Sequence, residues 1–367
     1  MALRSTSRMI PDPAVQAHSL PILPAGVQTP HGRGTGQRHR IGPIGQIMQC
    51  KLIYNPTSGP WDVRHELPAV LNHLERHGWQ TAAHQTERPG EATSLARQAR
   101  EEGLDAVLVV GGDGTINEVV NGLADSEVAL GVLPGGTGNV WAKELGLPTR
   151  SPRHLLPLVD SVKALVPGSR RRIDLGRAGD RYFLQWTGLG LDAEVTYAME
   201  PRSRRQRRLG ALGYIVAGLT VASNMVGPRT RIWIDDERIY RRSILVVISN
   251  SQLYGGKVRI ATDARMDDGL LDVNIFAGTG FGSALRTALG VITGLHVRDP
   301  RHSFYRGKTI HVEADKPMPI QVDGEPFGTT PLSCEVVPRA LTILIPRRVR
   351  ADLFQTEDDG HSADDPF

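Results

Sequence analysis

The sequence predicts an α/β protein, in which an N-terminal, doubly wound domain precedes a C-terminal, mainly antiparallel, β-sandwich-like domain. Apolar runs alternate with helical stripes between Cys50 and Leu145, a pattern typical of a parallel sheet with helices on both faces. After about Arg170 short strand-like runs dominate, with hairpin signals at Gly179-Asp180 and Asp235-Asp236. The chain has 367 residues, enough for two domains with sizeable cores.

Four strands and four helical stripes make up the predicted first domain. The strands are Cys50–Tyr54, Trp79–Thr86, Ala106–Val110 and Val128–Leu133. The helical stripes begin at Leu67, Ala92, Ile116 and Trp141. Ligands of parallel sheets bind at the carboxyl ends of the strands. We therefore expect the turns at Asn55, Thr86, Gly111 and Gly135 to lie on one edge.

Two glycine turns on neighbouring strands indicate a phosphate site. The first is Gly111-Gly112-Asp113-Gly114-Thr115, and the second runs from Pro134 to Asn139. Glycine lets the backbone turn sharply and approach a ligand, and the free amides of the following helix suit an anion. Neither turn has the lysine of a Walker P-loop or GxGxxG spacing. A single glycine turn could equally be an ordinary tight βα loop. Two such turns on neighbouring strands, each with a threonine, favour the phosphate site.

The second half of the chain predicts a further set of strands with two helical inserts. The strands are Arg172–Ala178, Arg181–Leu189, Thr230–Asp235, Arg238–Ser249, Leu270–Phe276, Thr309–Ala314 and Pro319–Val322. The helical inserts are Leu209–Ala222 and Gly282–Leu295. A last apolar strand, Ala340–Ile345, is predicted to return to the first domain.

Composition limits the remaining possibilities. Met1–Ile47 is rich in proline, glycine and arginine and is expected to be disordered; it lacks the apolar core of a secretory signal, and an over-extended gene start remains an alternative to a flexible tail. Ala351–Phe367 is expected to be a loose acidic tail. Cys50 and Cys334 form no disulfide framework, which favours a reducing compartment. The most apolar stretch, Gly210–Gly227, is too weakly hydrophobic to span a membrane.

Five motifs carry a family resemblance. They are Asn55-Pro56-Thr57-Ser58-Gly59, the run from Gly111 to Glu118, the run from Leu133 to Asn139, Asp267-Asp268-Gly269-Leu270, and Val322-Asp323-Gly324-Glu325-Pro326. In this order they resemble the bacterial diacylglycerol kinase-like lipid kinases, whose superfamily includes sphingosine and ceramide kinases. NAD kinases look similar at Gly-Gly-Asp-Gly-Thr, and the Leu-Pro-Gly-Gly-Thr-Gly-Asn element favours the lipid kinases. The likeness covers Gln49 to Arg347.

The resemblance implies a domain plan and an ATP site. It implies an ATP-binding domain over 49–170 rejoined by 338–348 and a lipid-binding domain over 171–337. Composition adds a disordered extension over 1–48 and a disordered tail over 351–367. Thr86 is matched only by a following Gly90-Glu91-Ala92, where the family usually has aspartate in place of Glu91. The residues it assigns to ATP are Asn55, Pro56, Thr57, Ser58, Gly59, Thr86, Gly112, Asp113, Gly114, Thr115, Ile116, Asn117, Glu118 and Thr137.

The resemblance also assigns catalytic carboxylates. Glu325 becomes the acceptor of the substrate hydroxyl proton, with Asp323 beside it, because a general base assists transfer to a hydroxyl. As a bare pattern, Asp-Gly-Glu is more often a solvated hairpin. Asp113 would lie beside the phosphates of ATP, which is favourable only with a cation between them, so it is assigned to Mg²⁺-ATP. The alternative is that Asp113 forms the turn or caps the N-terminus of the helix.

A separate magnesium loop is implied at residues 265–270. Its ligands would be the Asp268 carboxylate and the backbone carbonyls of Arg265 and Leu270, oxygen donors that hard cations prefer. A type I turn with acidic side chains is the alternative interpretation.

A dense basic run precedes the predicted helix Leu209–Ala222. Its members are Arg202, Arg204, Arg205, Arg207 and Arg208. We interpret it as a membrane-docking region, with a solvated face as the alternative; nucleic acid is a poor partner because no aromatics are interleaved.

The expected protein is thus a cytoplasmic lipid kinase on the inner face of the cell membrane, with ATP, Mg²⁺ and a membrane lipid as partners. Its expected reaction moves the γ-phosphate of ATP to a lipid hydroxyl, diacylglycerol giving phosphatidic acid. An NAD kinase-like enzyme and a non-catalytic lipid- or nucleotide-binding regulator stay as alternatives. The oligomeric state is open, a homodimer being one candidate.

Overall fold

A computed structural model describes residues 47–59, 61–151, 153–199, 227–256 and 258–355. The predicted extension up to residue 46, the arginine run at 202–208, the predicted helix Leu209–Ala222 and the tail from 356 lie outside the described residues. Among the described residues, no helix is both long and apolar enough to cross a membrane.

A parallel sheet with flanking helices forms the N-terminal part, as predicted. Its strands are β1 (Met48–Tyr54), β2 (Trp79–Gln85), β3 (Ala106–Gly111) and β4 (Ala129–Pro134), in the order β2-β1-β3-β4. Its helices are α1 (Leu67–Arg76), α2 (Glu91–Glu101), α3 (Asp113–Leu123), α4 (Val140–Glu144) and α5 (Pro157–Leu165), with a short 3-10 helix at Val63–His65. Every residue of β3 and β4 is buried, as expected for strands covered on both faces. The extension expected over 1–48 is wrong at Met48, where β1 already begins.

Helix packing explains one glycine away from the turns. Helices α2 and α3 cross closely because Gly122 has no side chain, and a Cβ there would lie 2.5 Å from Ala96 Cβ. Helix α2 presents small buried residues, Ala92, Ala96 and Ala99, to this contact. This close packing fixes the C-terminal part of α3 against α2.

The C-terminal part is mainly antiparallel, again as predicted. Its strands are β5 (Ser169–Ala178), β6 (Arg181–Phe183), β7 (Trp186–Gly190), β8 (Arg229–Ile234), β9 (Glu237–Ser249), β10 (Leu253–Tyr254), β11 (Val258–Arg259), β12 (Leu271–Ala277), β13 (His302–Gly307), β14 (Thr309–Ala314), β15 (Pro319–Val322), β16 (Glu325–Thr329) and β17 (Leu332–Ile345). The helices are α6 (Leu191–Met199) and α7 (Gly280–Thr293), with short 3-10 helices at Leu295–Arg298 and Ala351–Leu353. The strand path runs β16-β15-β7-β9-β8-β14-β17, and β12 and β13 extend it from β9.

Strand β17 belongs to both parts of the fold. Its first half pairs with β14, its second half lies parallel to β4 at Ile343 and Leu130, and β5 pairs with both halves. The two sheets are therefore continuous through this strand.

Two expectations are wrong in detail. The predicted single strand Arg181–Leu189 is divided into β6 and β7, because the backbone amides of Leu184 and Gln185 bond to Asp323 instead of to a neighbouring strand. The loose tail expected from Ala351 is wrong for residues 351–355, because Leu353 and Phe354 are buried in the core and the Leu353 carbonyl accepts a hydrogen bond from the Met266 amide.

Candidate functional site

Three loops meet at the carboxyl edge of the parallel sheet. A Cβ on Gly136 would lie 2.4 Å from the Cα of Gly112, and one on Gly59 would lie 2.3 Å from the carbonyl oxygen of Gly135. Such distances are far below van der Waals contact, so the backbones touch where only glycine fits. The two glycine turns and the Asn55–Gly59 loop thus form one continuous backbone surface.

Asn55 organises the first loop. Its Oδ1 accepts hydrogen bonds from both the amide and the hydroxyl of Thr57 at 2.9 Å, an arrangement typical of an Asx turn. Its Nδ2 donates to the hydroxyl of Thr115 at 3.2 Å, which ties this loop to the first turn of α3. Ser58 donates to the carbonyl of Asn55 at 3.0 Å, and Pro56 is half-buried beside them.

Thr86 and Thr137 lie at the same edge of the sheet. The Thr86 hydroxyl donates to the carbonyl of Tyr54 at 3.4 Å. Thr137 is exposed within the second glycine turn, so its side chain is accessible to a ligand.

Asp113 links the two glycine turns. Its Oδ1 accepts hydrogen bonds from the amides of Val140 at 2.8 Å and Trp141 at 3.3 Å, which caps the start of α4. Burial raises the pKa of this carboxyl, opposed by those amides and by nearby Lys143. Its Oδ2 lies along Gly138, where a Cβ would be 2.8 Å away. The Asp113 carboxylate therefore caps α4, in addition to any contact that it makes with a ligand.

Three side chains assigned to ATP have partners inside the protein. Ile116 is buried in the core. Glu118 accepts a hydrogen bond from the Ala92 amide at 3.2 Å, at the start of α2. Asn117 is buried and donates to the carbonyl of Tyr182 at 3.0 Å and to Asp323 Oδ2 at 2.8 Å. These side chains join α3 to its surroundings, whereas the backbone of Gly112 and Gly114 stays at the sheet edge.

A two-residue hairpin carries the catalytic candidates. Asp323 and Gly324 join β15 to β16 with φ angles of 48° and 83°, the left-handed pair that a type I′ turn requires. The buried Asp323 carboxylate accepts hydrogen bonds at 2.8–3.1 Å from the amides of Leu184, Gln185 and Trp186 and from the Asn117 side chain. Burial raises the pKa of Asp323, and these donors act against that rise. Both of its oxygens are engaged, so Asp323 holds the hairpin in place.

Glu325 reaches the first glycine turn. A Cβ on Gly114 would lie 2.6 Å from Glu325 Oε1, so the carboxylate contacts the start of α3. Its Oε2 accepts a hydrogen bond from Arg181 Nη2 at 2.5 Å, and the same nitrogen donates to Asn117 Oδ1 at 2.8 Å. The structure thereby brings together Glu325 and the Gly112–Gly114 backbone from opposite halves of the chain.

Sequence reasoning missed three residues around Glu325. Arg181 bridges Glu325 and Asn117, and its only local signal is its place directly after the Gly179-Asp180 turn. Gln321 accepts a hydrogen bond from the Gly324 amide at 2.6 Å and donates to Asp192. Burial raises the pKa of the Asp192 carboxyl. This second chain of contacts supports the hairpin in addition to the contacts of Asp323.

The loop predicted to bind magnesium is held by protein groups. Asp268 Oδ1 accepts a hydrogen bond from the Leu270 amide at 3.1 Å, and its Oδ2 lies 3.7 Å from Arg306 Nη1. Arg306 Nε also donates to Asp272 at 3.0 Å, and burial raises the pKa of Asp272 to about 6. Within the described ranges, no group of three or more His, Cys, Asp or Glu side chains is placed to hold a metal. Arg306 already supplies positive charge beside Asp268.

Comparison with known proteins connects this geometry to a family. Residues 49–178 match the diacylglycerol kinase catalytic domain, and residues 187–345 match the YegS C-terminal NAD kinase beta sandwich-like domain. A diacylglycerol kinase from Bacillus subtilis (strain 168) is 31% identical over 303 residues, which are 82% of this chain and 97% of the relative. The chain belongs to the bacterial diacylglycerol kinase family.

Other relatives of this diacylglycerol kinase family member are consistent with the assignment. A diacylglycerol kinase from Staphylococcus carnosus (strain TM300) is 29% identical over 84% of this chain and 99% of the relative. A crystal structure of a diacylglycerol kinase from Bacillus anthracis strain Sterne is 20% identical, covers 84% of this chain and 99% of the other, and has a TM-score of 0.62. A second structure from that strain, 24% identical over 83% of this chain and 100% of the other, has a TM-score of 0.69 and shares the fold. Family membership supports a lipid kinase.

Proposed function

We propose that this protein transfers the γ-phosphate of ATP to the hydroxyl group of diacylglycerol and so produces phosphatidic acid at the inner face of the cell membrane. The observation that carries the proposal is the contact of Glu325 with the Gly114 backbone at the start of α3. It brings a carboxylate next to backbone amides of the kind that bind phosphate. Such a pair suits phosphoryl transfer to a hydroxyl, in which positioning and charge stabilisation do most of the catalysis.

Each part of the site has a role in this reaction. The amides of Gly112 and Gly114 hold the phosphates of ATP, with Asn55 and Thr137 at their sides. Glu325 accepts the proton of the lipid hydroxyl, whose oxygen forms a bond to the γ-phosphorus while the bond to the ADP oxygen breaks. Arg181 holds Glu325 Oε2 and leaves Oε1 directed at Gly114. Asp323 acts through Glu325 as a positioning residue.

Magnesium bound with ATP would neutralise part of the phosphate charge. Asp113 is the carboxylate available for that ion, since its Oδ2 lies beside Gly138 at the junction of the two glycine turns.

Radiolabelled ATP offered with diacylglycerol, sphingosine, ceramide or NAD tests the acceptor. We expect label in phosphatidic acid. Label only in NADP would favour the NAD kinase-like alternative, and transfer to none of the four would favour a non-catalytic regulator.

Glu325→Gln tests the proton acceptor. General-base catalysis contributes about 10²–10⁴-fold, so we expect kcat to fall by that factor with the KM for ATP unchanged. Glu335→Gln is a matched control, because Glu335 is also paired with an arginine and is 41% exposed against 42% for Glu325. Equal turnover of Glu325→Gln and wild type would remove Glu325 from the mechanism.

A further inference from the structure

Exposed apolar side chains are concentrated in one stretch of the chain. Of the twelve large hydrophobic residues that are exposed in the described part of the chain, six lie between residues 281 and 304. They are Phe281, Leu289, Ile292, Leu295, Val297 and Phe304, and each is 41–58% exposed. Large exposed apolar patches mark interaction sites, whereas single exposed hydrophobic residues need no explanation.

Helix α7 has the reverse of the usual distribution of side-chain size. Its buried face carries small residues, Ser283, Ala284, Thr287 and Val291. Its outer face carries Phe281, Leu289 and Ile292 at helical spacing, and the 3-10 helix that follows adds Leu295 and Val297. The largest apolar groups therefore face outwards over a helix of 14 residues, about 21 Å long. We name the face formed by Phe281, Leu289, Ile292, Leu295 and Val297 the α7 face.

The charge around the α7 face has a single sign over a long stretch. No aspartate or glutamate occurs from residue 273 to residue 298. Arg286, Arg298 and Arg301 are exposed at its margin. Only Arg286 has an acidic partner among the ion pairs described for these three, Asp299 at 2.6 Å. An apolar face edged by arginine suits a membrane with anionic headgroups.

We propose that the α7 face docks this protein on an anionic lipid bilayer, with the large apolar side chains inserted at the headgroup boundary and the arginines on the headgroups. The inference rests on the proposed function, because an enzyme that phosphorylates diacylglycerol must reach an acceptor held in a membrane.

The inner side of α7 connects this surface to the candidate active site. Ala284 and Val291 pack in a hydrophobic cluster that also contains Val140 and Trp186. The amide of Val140 donates to Asp113, and the amide of Trp186 donates to Asp323. A bilayer against the α7 face would therefore lie on the layer that supports both carboxylates.

Vesicle partitioning tests the docking surface. The full-length protein is sedimented with vesicles of phosphatidylcholine alone or mixed with phosphatidylglycerol. We expect wild type to prefer the anionic vesicles by about tenfold or more, since each basic residue near the surface adds to binding. Leu289→Ser with Ile292→Ser should lower partitioning by at least about tenfold, because two inserted aliphatic side chains are lost.

The chain offers a matched control. Leu155 and Leu156 are adjacent leucines that are 66% and 55% exposed elsewhere on the surface. Leu155→Ser with Leu156→Ser should partition like wild type. A fluorescent label gives a second readout: Leu289→Cys can be labelled selectively because Cys50 and Cys334 are buried. Its emission should shift to the blue on anionic vesicles, whereas that of labelled Leu155→Cys should not.

Each remaining outcome decides the matter. Unchanged partitioning of the Leu289/Ile292 variant overturns the proposal. A second result would also overturn it: light scattering shows that wild type is a dimer and the variant a monomer, while both bind vesicles equally. The α7 face would then be a contact between two copies of this chain. With a short-chain diacylglycerol below its aggregation concentration, the variant should keep wild-type activity and lose it only on vesicles. If wild type phosphorylates neither short-chain diacylglycerol nor diacylglycerol in vesicles, the proposed function is wrong. The vesicle-partitioning measurement still tests whether the α7 face binds the bilayer.

Discussion

The substitution Gly114→Ala should lower kcat without lowering stability, because it alters the contact between Gly114 and Glu325 on which the proposed function rests. Gly114 lies in the first turn of α3, and a Cβ there would lie 2.6 Å from Glu325 Oε1. Ordinary van der Waals contact begins at about 3.4 Å, so the carboxylate must move by about 0.8 Å, the difference between the two distances. A misplacement of about 1 Å can lower a rate by about 10²-fold. We expect kcat to fall by roughly that factor.

The free energy of unfolding of Gly114→Ala should stay the same or rise, although kcat falls. The neighbour of the new methyl group is the end of a half-exposed side chain, which can shift without disturbing the core. Alanine is also a better helix former than glycine by about 1 kcal/mol. The urea midpoint of Gly114→Ala should therefore equal or exceed that of wild type, although the enzyme is nearly inactive.

Gly282→Ala is the matched control for the helix-propensity effect. Gly282 lies in the first turns of α7, and a Cβ there would meet nothing within 4 Å. This variant should gain similar stability and keep full activity on a short-chain diacylglycerol. Steady-state kinetics and urea unfolding of both variants check the prediction. Wild-type kcat in Gly114→Ala would refute the placement of Glu325 as the acceptor of the hydroxyl proton.

Two further predictions concern buried carboxyls. Asp323→Asn should lower the free energy of unfolding by about 2–3 kcal/mol, because its amide would face donors that now bond to carboxylate oxygens; urea unfolding should show no such loss for the exposed Asp180→Asn. Burial raises the pKa of Glu144 from 4.5 to about 7, so its stabilising contribution is present below about pH 4.5 and is lost as the pH rises through 7. Relative to wild type, the free energy of unfolding of Glu144→Gln should therefore rise by about 2.5 kcal/mol between pH 5 and pH 8. A difference between the two proteins that does not change with pH would contradict this.

Local signals were enough for the glycine turns and for several strands. An apolar run followed directly by glycine marks the end of β3, and the strand expected at Pro319–Val322 is β15 itself. The Asp235-Asp236 pair is a two-residue hairpin loop between β8 and β9, as predicted. These features depend on residues that are adjacent in sequence, so sequence patterns reveal them.

Features that depend on distant partners were not predictable. The interruption between β6 and β7 exists because Asp323 binds the Gln185 amide across 138 positions of sequence. The bridge from Arg181 to Glu325 spans 144 positions. Helix α5 is a different case: its start at Pro157 and its buried Leu158 and Val162 are local signals that were available.

The contacts between the two halves hold the candidate site together. Asn117 of α3 bonds to Tyr182, Arg181 and Asp323, which belong to the C-terminal half. Strand β17 pairs with strands on both sides of the junction. A hinge opening would break this buried network, and leaving buried polar groups unpaired is expensive. We therefore expect Glu325 and the Gly112–Gly114 backbone to be held together before ATP and lipid bind.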